Sequence, residues 1–231
     1  MRPVDLHEIL DAADAPDTLT LWARTHDHDS AWEACEQPES RVWLAAASGA
    51  PIEALVEAAA MAVFVADARA PESPAPVGEA LEEAIEGADP DALTAAAQVC
   101  EQLAEGGTGD YRRPSDPGFA DRARAAALVA RAAEARIAGD AMREAARLEQ
   151  ARGLAVNLGI GMQSMLPRSD GPARLDVVAA ANDPAQGNFL FAVAACAEAC
   201  RLAVDALVAL DVDANAARAS VDDAVRDALT D

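Results

Sequence analysis

Lysine is missing altogether: each of the 18 basic residues in this 231-residue chain is Arg, and 40 acidic residues leave a net charge of −22. Such an excess repels phosphate backbones and anionic lipid headgroups, which excludes nucleic acid and membrane surfaces as partners of the chain as a whole. Aromatic residues are scarce, at four Phe, three Trp and one Tyr, so few large anchors exist for a core. The four Cys, at 35, 100, 196 and 200, form no CxxC pair and no secreted framework, which points to a reducing cytoplasm. Met1 is followed by Arg2-Pro3-Val4-Asp5, so no apolar leader supports export. The most apolar long run, Phe189 to Leu210, carries Glu198, Arg201 and Asp205 on one helical face and is no membrane span. Metalloprotease H-E-x-x-H, di-iron E-x-x-H, hydrolase G-x-S-x-G and P-loop G-K-[ST] patterns are all missing. The reading is therefore a non-enzyme without a cofactor.

What is present is alanine. Ala fills 61 positions, about half of the 52% apolar content, and it is the strongest intrinsic helix former. An all-α fold of about ten or eleven helices follows, as an irregular bundle or a solenoid-like array of helical hairpins. Helices are expected over 4–13, 16–25, 39–49, 51–68, 77–86 and 90–104, with Ser30 capping a turn that holds Trp32 and Cys35, and Asp89 capping the helix from Pro90. Residues 118–166 read as helical throughout, and Gly139-Asp140 offers a stop followed at once by a cap, which favours an antiparallel pair over one rod. Further helices are expected near 172–181, 188–210 and 213–229. Trp22, Trp32, Trp43, Phe64, Phe189 and Phe191 are the expected anchors.

Charge divides the chain unevenly. Residues 1–110 hold 23 acids and four Arg, residues 111–152 six acids and nine Arg, and residues 153–231 eleven acids and five Arg. Together with the three glycines and two prolines between 105 and 117, this suggests an acidic helical half (1–105), a linker or loop (106–117) and a second helical half (118–231), with one continuous domain as the alternative. The basic centre can pair with the acidic front inside the fold or across a dimer. Local pairing on a solvated helix face, among residues such as Arg143, Arg147, Glu144 and Glu149, is the preferred explanation.

Candidate chemistry is sparse. His26-Asp27-His28-Asp29 followed by Cys35 is the densest set of metal-ligand types, but the run also suits a helix start, where carboxylates meet the dipole. Cys196 and Cys200 share a helix face and read as buried small residues. Gly159-Ile-Gly161-Met-Gln-Ser-Met165 is an incomplete dinucleotide motif without a preceding strand. Tyr111-Arg112-Arg113 is the one aromatic-basic cluster, suited to an acidic or phosphorylated partner. Glu53, Glu57, Glu79, Glu82, Glu83 and Glu86 are the candidate acidic face for a basic partner.

Three stretches, Ala31-Trp-Glu-Ala-Cys35, Val42-Trp-Leu-Ala-Ala-Ala-Ser-Gly49 and Ile52-Glu-Ala-Leu-Val-Glu-Ala-Ala-Ala60, resemble the N-terminal pattern of Ala-rich bacterial immunity proteins, and Ala80 to Gly87 looks like their next helix. The usual basic residues before the Ala-Ile-Glu at 84–86 are missing, and the second half of the chain is unlike that family. The resemblance implies a cytoplasmic helical binder. The expected function is a protein–protein interaction module that masks a partner surface, immunity- or antitoxin-like or regulating a bacterial conflict system. Two other classes stay open: a metal-dependent enzyme or small-ligand binder with its site near His26 and His28, and a homo-oligomeric structural protein built on the Arg-rich central helices.

Overall fold

Prolines and acidic caps start most of the helices, and the local chemistry is visible at each. The computed structural model describes residues 6–13, 15–71, 75–87, 89–106, 116–158 and 184–230. Among them are ten α-helices and no strand: α1 (Leu6–Ala12), α2 (Asp17–Ala23), α3 (His28–Ala34), α4 (Pro38–Ala47), α5 (Ile52–Asp67), α6 (Ala75–Glu86), α7 (Pro90–Glu105), α8 (Phe119–Leu158), α9 (Pro184–Ala209) and α10 (Ala214–Thr230). Pro38 and Pro90 occupy the first turns of α4 and α7, where a missing N–H costs nothing. Asp89 caps α7 by accepting the Asp91 N–H at 3.0 Å. At α3 the cap is Asp27 rather than Ser30. Asp27 Oδ1 accepts the Ser30 N–H at 2.8 Å while Ser30 Oγ accepts the Asp27 N–H at 3.0 Å, a reciprocal box in which Ser takes the place usual for Glu.

Two helices end in the same reversed-turn stop. After α4, Gly49 adopts φ +86° and the Ala50 N–H donates to the Ala45 carbonyl at 2.9 Å. After α9, the left-handed residue is Asp211, at φ +61°, and the Val212 N–H donates to the Leu207 carbonyl at 3.1 Å.

α5 lies at the centre. Ile52, Leu55, Ala58, Ala59, Ala60, Ala62, Val63 and Ala66 are completely buried, and the helix packs against α6, α8, α9 and α10. Contacts of α5 with these four helices and with α4 make this a bundle, not a solenoid in which each unit meets only its neighbours. The most extensive packing is between α8 and α9, which run antiparallel: Gly118 meets the Ala206 backbone at one end, and Met142 Sδ accepts from Asn188 Nδ2 at 3.6 Å toward the other. Most buried residues of these two helices are Ala, Val or Cys, which lets the helix axes approach closely. α6 and α7 cover the far flank of α8, while α1 and α3 pack on α4 and α2 packs on α1.

The expected break at Gly139-Asp140 does not occur. α8 is a single helix of 40 residues that passes through a buried Gly139. An interior Gly costs only about 1 kcal/mol against Ala, less than packing against α7 and α9 supplies. Phe191 is the second correction: it is 50% exposed, whereas Phe119, three residues after Asp116 in the Gly/Pro-rich stretch, is fully buried. Trp43 and Phe189 are buried as expected, and Trp22, Trp32 and Phe64 are partly buried against the core. The helix expected near 172–181 and the Gly159–Met165 motif lie outside the described residues.

Two arginines are interior. Arg41 of α4 has no exposed surface; its Nε donates to Asp222 Oδ1 of α10 at 2.6 Å, its Nη1 to the Trp32 carbonyl at 2.8 Å, and its Nη2 to Asp222 Oδ2 at 2.9 Å and to the Cys35 carbonyl. The guanidinium also lies 4.8 Å from the centre of the Trp32 ring. Arg122 of α8 is equally buried and binds Asp116 through two bonds, at 2.8 and 3.0 Å, and Asp67 at the end of α5 at 3.1 Å. A buried charge is tolerable when its donors are met in this way.

Candidate functional site

The acidic residues named from sequence separate into two groups by what faces them. Glu53, on the first turn of α5, lies 3.7 Å from Arg136 of α8, and Glu57 is exposed one turn further along α5. The other four belong to α6. Their spacing, 79, 82, 83 and 86, is the i, i+3, i+4, i+7 stripe of one helical face, and together with Gly87 they line a single surface depression of about 450 Å³. Among the described residues no Arg pairs with any of them. Several acids elsewhere do meet an arginine: Asp222 with Arg41, Asp67 and Asp116 with Arg122, Glu101 and Glu134 with Arg131, Glu198 and Asp205 with Arg201.

The pairs from α8 to α5, α7 and the 116 turn also answer where the basic centre finds its counter-charge. It pairs across helices within the fold, so the local explanation covers only part of it. Of the four residues offered as such local pairs, the side chains of Arg143, Arg147 and Glu149 lie outside the described residues.

Beside the α6 stripe runs a groove between α6 and α7, with a cavity of about 250 Å³. On α6 it is lined by Pro76, Glu79, Ala80 and Glu83, and on α7 by Ala92, Ala95, Ala96 and Val99. Each set is again an i, i+3, i+4, i+7 stripe, so the two helices present matched faces. No side chain on the α7 wall is larger than Val. α7 uses its other faces for the fold: Leu93, Ala97, Cys100 and Leu103 are buried, and Thr94 Oγ1 donates to Glu134 Oε1 of α8 at 2.8 Å. The spacing of the glutamates could be read from the sequence. The groove could not, because it depends on how α7 lies against α6.

The histidine and cysteine candidates are placed differently. Among the described residues no three His, Cys, Asp or Glu side chains gather where a metal could bind. His26 stacks on Trp22 with ring centres 4.1 Å apart, and its Nδ1 lies 3.0 Å from the Trp22 carbonyl and from Thr25 Oγ1. The His28 side chain lies outside the described residues. Cys35 is buried, its thiol directed at the Gln37 carbonyl at 3.4 Å, and burial pushes its pKa up. Next to it is a cavity of about 260 Å³ between α2 and the α3–α4 turn, lined by Thr18, Leu19, Trp22, Ala34, Cys35, Glu36, Gln37 and Ser40. Tyr111, Arg112 and Arg113 lie outside the described residues.

The remaining thiols are equally withdrawn from chemistry. Burial pushes Cys100 and Cys196 up to about 12 and Cys200 well above its ordinary value, so none is a nucleophile at neutral pH. Two carboxyls are also raised by burial: Glu39 of α4, opposed by Arg201 and Arg218, and Asp121 of α8, opposed by Arg124. No described helix is long and apolar enough to cross a membrane.

No protein family, curated protein or solved structure matches this chain.

Proposed function

We propose that the protein is a binding module that docks a basic protein partner on the outer face of α6 and masks its surface. The observation that carries this reading is the stripe Glu79, Glu82, Glu83 and Glu86, aligned on one depression with no arginine opposite among the described residues. Like charges three and four residues apart on one helix are unfavourable, by about 0.2–0.5 kcal/mol per pair. A stripe that costs stability and satisfies no partner within the described fold suits a role outside it. Charge of this kind steers encounter and raises the association rate with a basic partner. The resemblance of residues 31–60 and 80–87 to bacterial immunity proteins supports the same class of function and suggests a toxin or another conflict-system component as the partner.

The reading is tested by titrating the protein against the product of the neighbouring gene, with and without Glu79→Arg, Glu82→Arg, Glu83→Arg and Glu86→Arg together. Binding that weakens with salt and is lost on charge reversal supports it. Binding indifferent to both refutes it.

A small-ligand binder is the second reading, supported by the 260 Å³ cavity beside Trp22 and Cys35. It predicts a ligand-induced rise in melting temperature that is lost in Trp22→Ala. The oligomer reading has less support, since Arg122, Arg131 and Arg136 meet acids of their own chain and two copies at −22 repel.

A further inference from the structure

We infer that the groove between α6 and α7 receives one amphipathic helix of a basic partner, with apolar side chains entering over the Ala wall of α7 and flanking Arg or Lys residues reaching the glutamates of α6. The inference rests on the acidic-face reading and adds to it the partner's shape.

Three observations point to a helix. The groove lies between two antiparallel helices, the thiol of Cys100 late in α7 reaching the Pro76 carbonyl at the start of α6 at 3.5 Å. Both walls repeat at helical spacing, so a third helix laid along them meets equivalent positions turn after turn. Ala92, Ala95 and Ala96 are half-buried or exposed and carry only methyl groups, so the channel is shallow and has room for the larger side chains it lacks itself. Glu79 and Glu83 line both this channel and the acidic depression, which places apolar and charged recognition within one helix width. Charge selects the occupant: an acidic helix meets like charge along the edge, and a second copy of this chain brings a net charge of −22 to it.

The test uses a synthetic, fluorescently labelled peptide of about 18 residues, five helical turns, with Leu at i, i+3, i+4 and i+7 on one face and Arg on both flanks. Two controls accompany it, one with the same composition shuffled to destroy the apolar face and one with Glu in place of Arg. Binding to the full chain is followed by anisotropy near physiological ionic strength. The patterned peptide is expected to bind at least about tenfold more tightly than the shuffled one, a difference of about 1.4 kcal/mol, and the Glu peptide not to bind. Ala95→Trp fills the channel from an exposed position and is expected to cut affinity about tenfold with the melting temperature unchanged; if that variant melts low, Ala92→Gln takes its place.

Equal binding of patterned and shuffled peptides, with loss on neutralising the four α6 glutamates, overturns the groove and leaves the acidic-face reading standing. Patterned binding that survives neutralisation overturns both. Dimerisation of the chain that Ala95→Trp abolishes assigns the groove to a second copy and overturns the basic occupant.

Discussion

Arginine and glutamate meet opposite fates in two regions of this molecule. Around α4, α8 and α10, the guanidiniums of Arg41 and Arg122 are wholly buried, and each has a carboxylate partner drawn from a distant part of the chain. Along α6, four carboxylates stand in a row with no cation opposite among the described residues. The first arrangement is expensive to disturb, because removing one member strands a desolvated charge. The second is expensive to keep, because the row repels itself. Charge in the interior therefore holds the fold together, and charge at the edge is set against it.

The sharpest way to break this contrast is Asp222→Ala. Arg41 would keep its bonds to the Trp32 and Cys35 carbonyls but lose its counter-ion, and a cost of about 3–5 kcal/mol is expected in denaturant unfolding. Replacing the pair together, Arg41→Met with Asp222→Leu, should recover much of that loss. A single variant as stable as the parent would show that the interior pair is not a fastener at all.

Next is Gly118→Ala, which tests the backbone contact beneath the same region. A Cβ there would lie 2.5 Å from the Ala206 carbonyl oxygen, so α8 and α9 must move apart, at a cost of about 1–3 kcal/mol. An unchanged melting temperature would mean that the seam is looser than its alanines imply.

These two sites also mark how far the sequence could be read. The α6 stripe was legible because helical spacing is local, and the starts of α4 and α7 because Pro38, Pro90 and Asp89 sit beside the turns they govern. The partners of Arg41 and Arg122 were not. Asp222 is 181 residues from Arg41, and Asp67 is 55 residues from Arg122; no periodicity links residues so far apart. Gly139 misled for a related reason, since the signal that stops an isolated helix is weaker than the packing on both sides of α8. Phe191 misled because hydrophobicity names a candidate anchor without saying which way the helix face turns.

The edge is expected to respond in the opposite sense to the core. Neutralising Glu79, Glu82, Glu83 and Glu86 to Gln should stabilise the protein by about 1–2 kcal/mol at low salt, and the gain should vanish near 1 M salt, where screening already silences the repulsion. Destabilisation instead would mean that the stripe has a partner inside the fold.

The subtlest effect is a pH dependence between the two regions. Burial raises the Glu39 carboxyl, so the folded chain holds that proton more tightly than the unfolded one. The associated stability is complete below the ordinary Glu value of 4.5 and is lost as pH rises through the higher folded-state value. Glu39→Gln should therefore melt with the parent near pH 4 and above it near pH 7. Coincident melting curves at both values would place Glu39 with the solvated acids of the edge.

The four withdrawn thiols have a practical consequence. Cys35 follows α3, Cys100 belongs to α7, and Cys196 and Cys200 sit one turn apart on α9. Cys100, Cys196 and Cys200 have no exposed surface, so an alkylating reagent must wait for α7 or α9 to open, whereas Cys35 lines a surface cavity and labels without that wait. The labelling rates on α7 and α9 are thus clocks already built into the unaltered chain, and they time the breathing of its flank and its centre separately, with Cys35 as the unhindered reference.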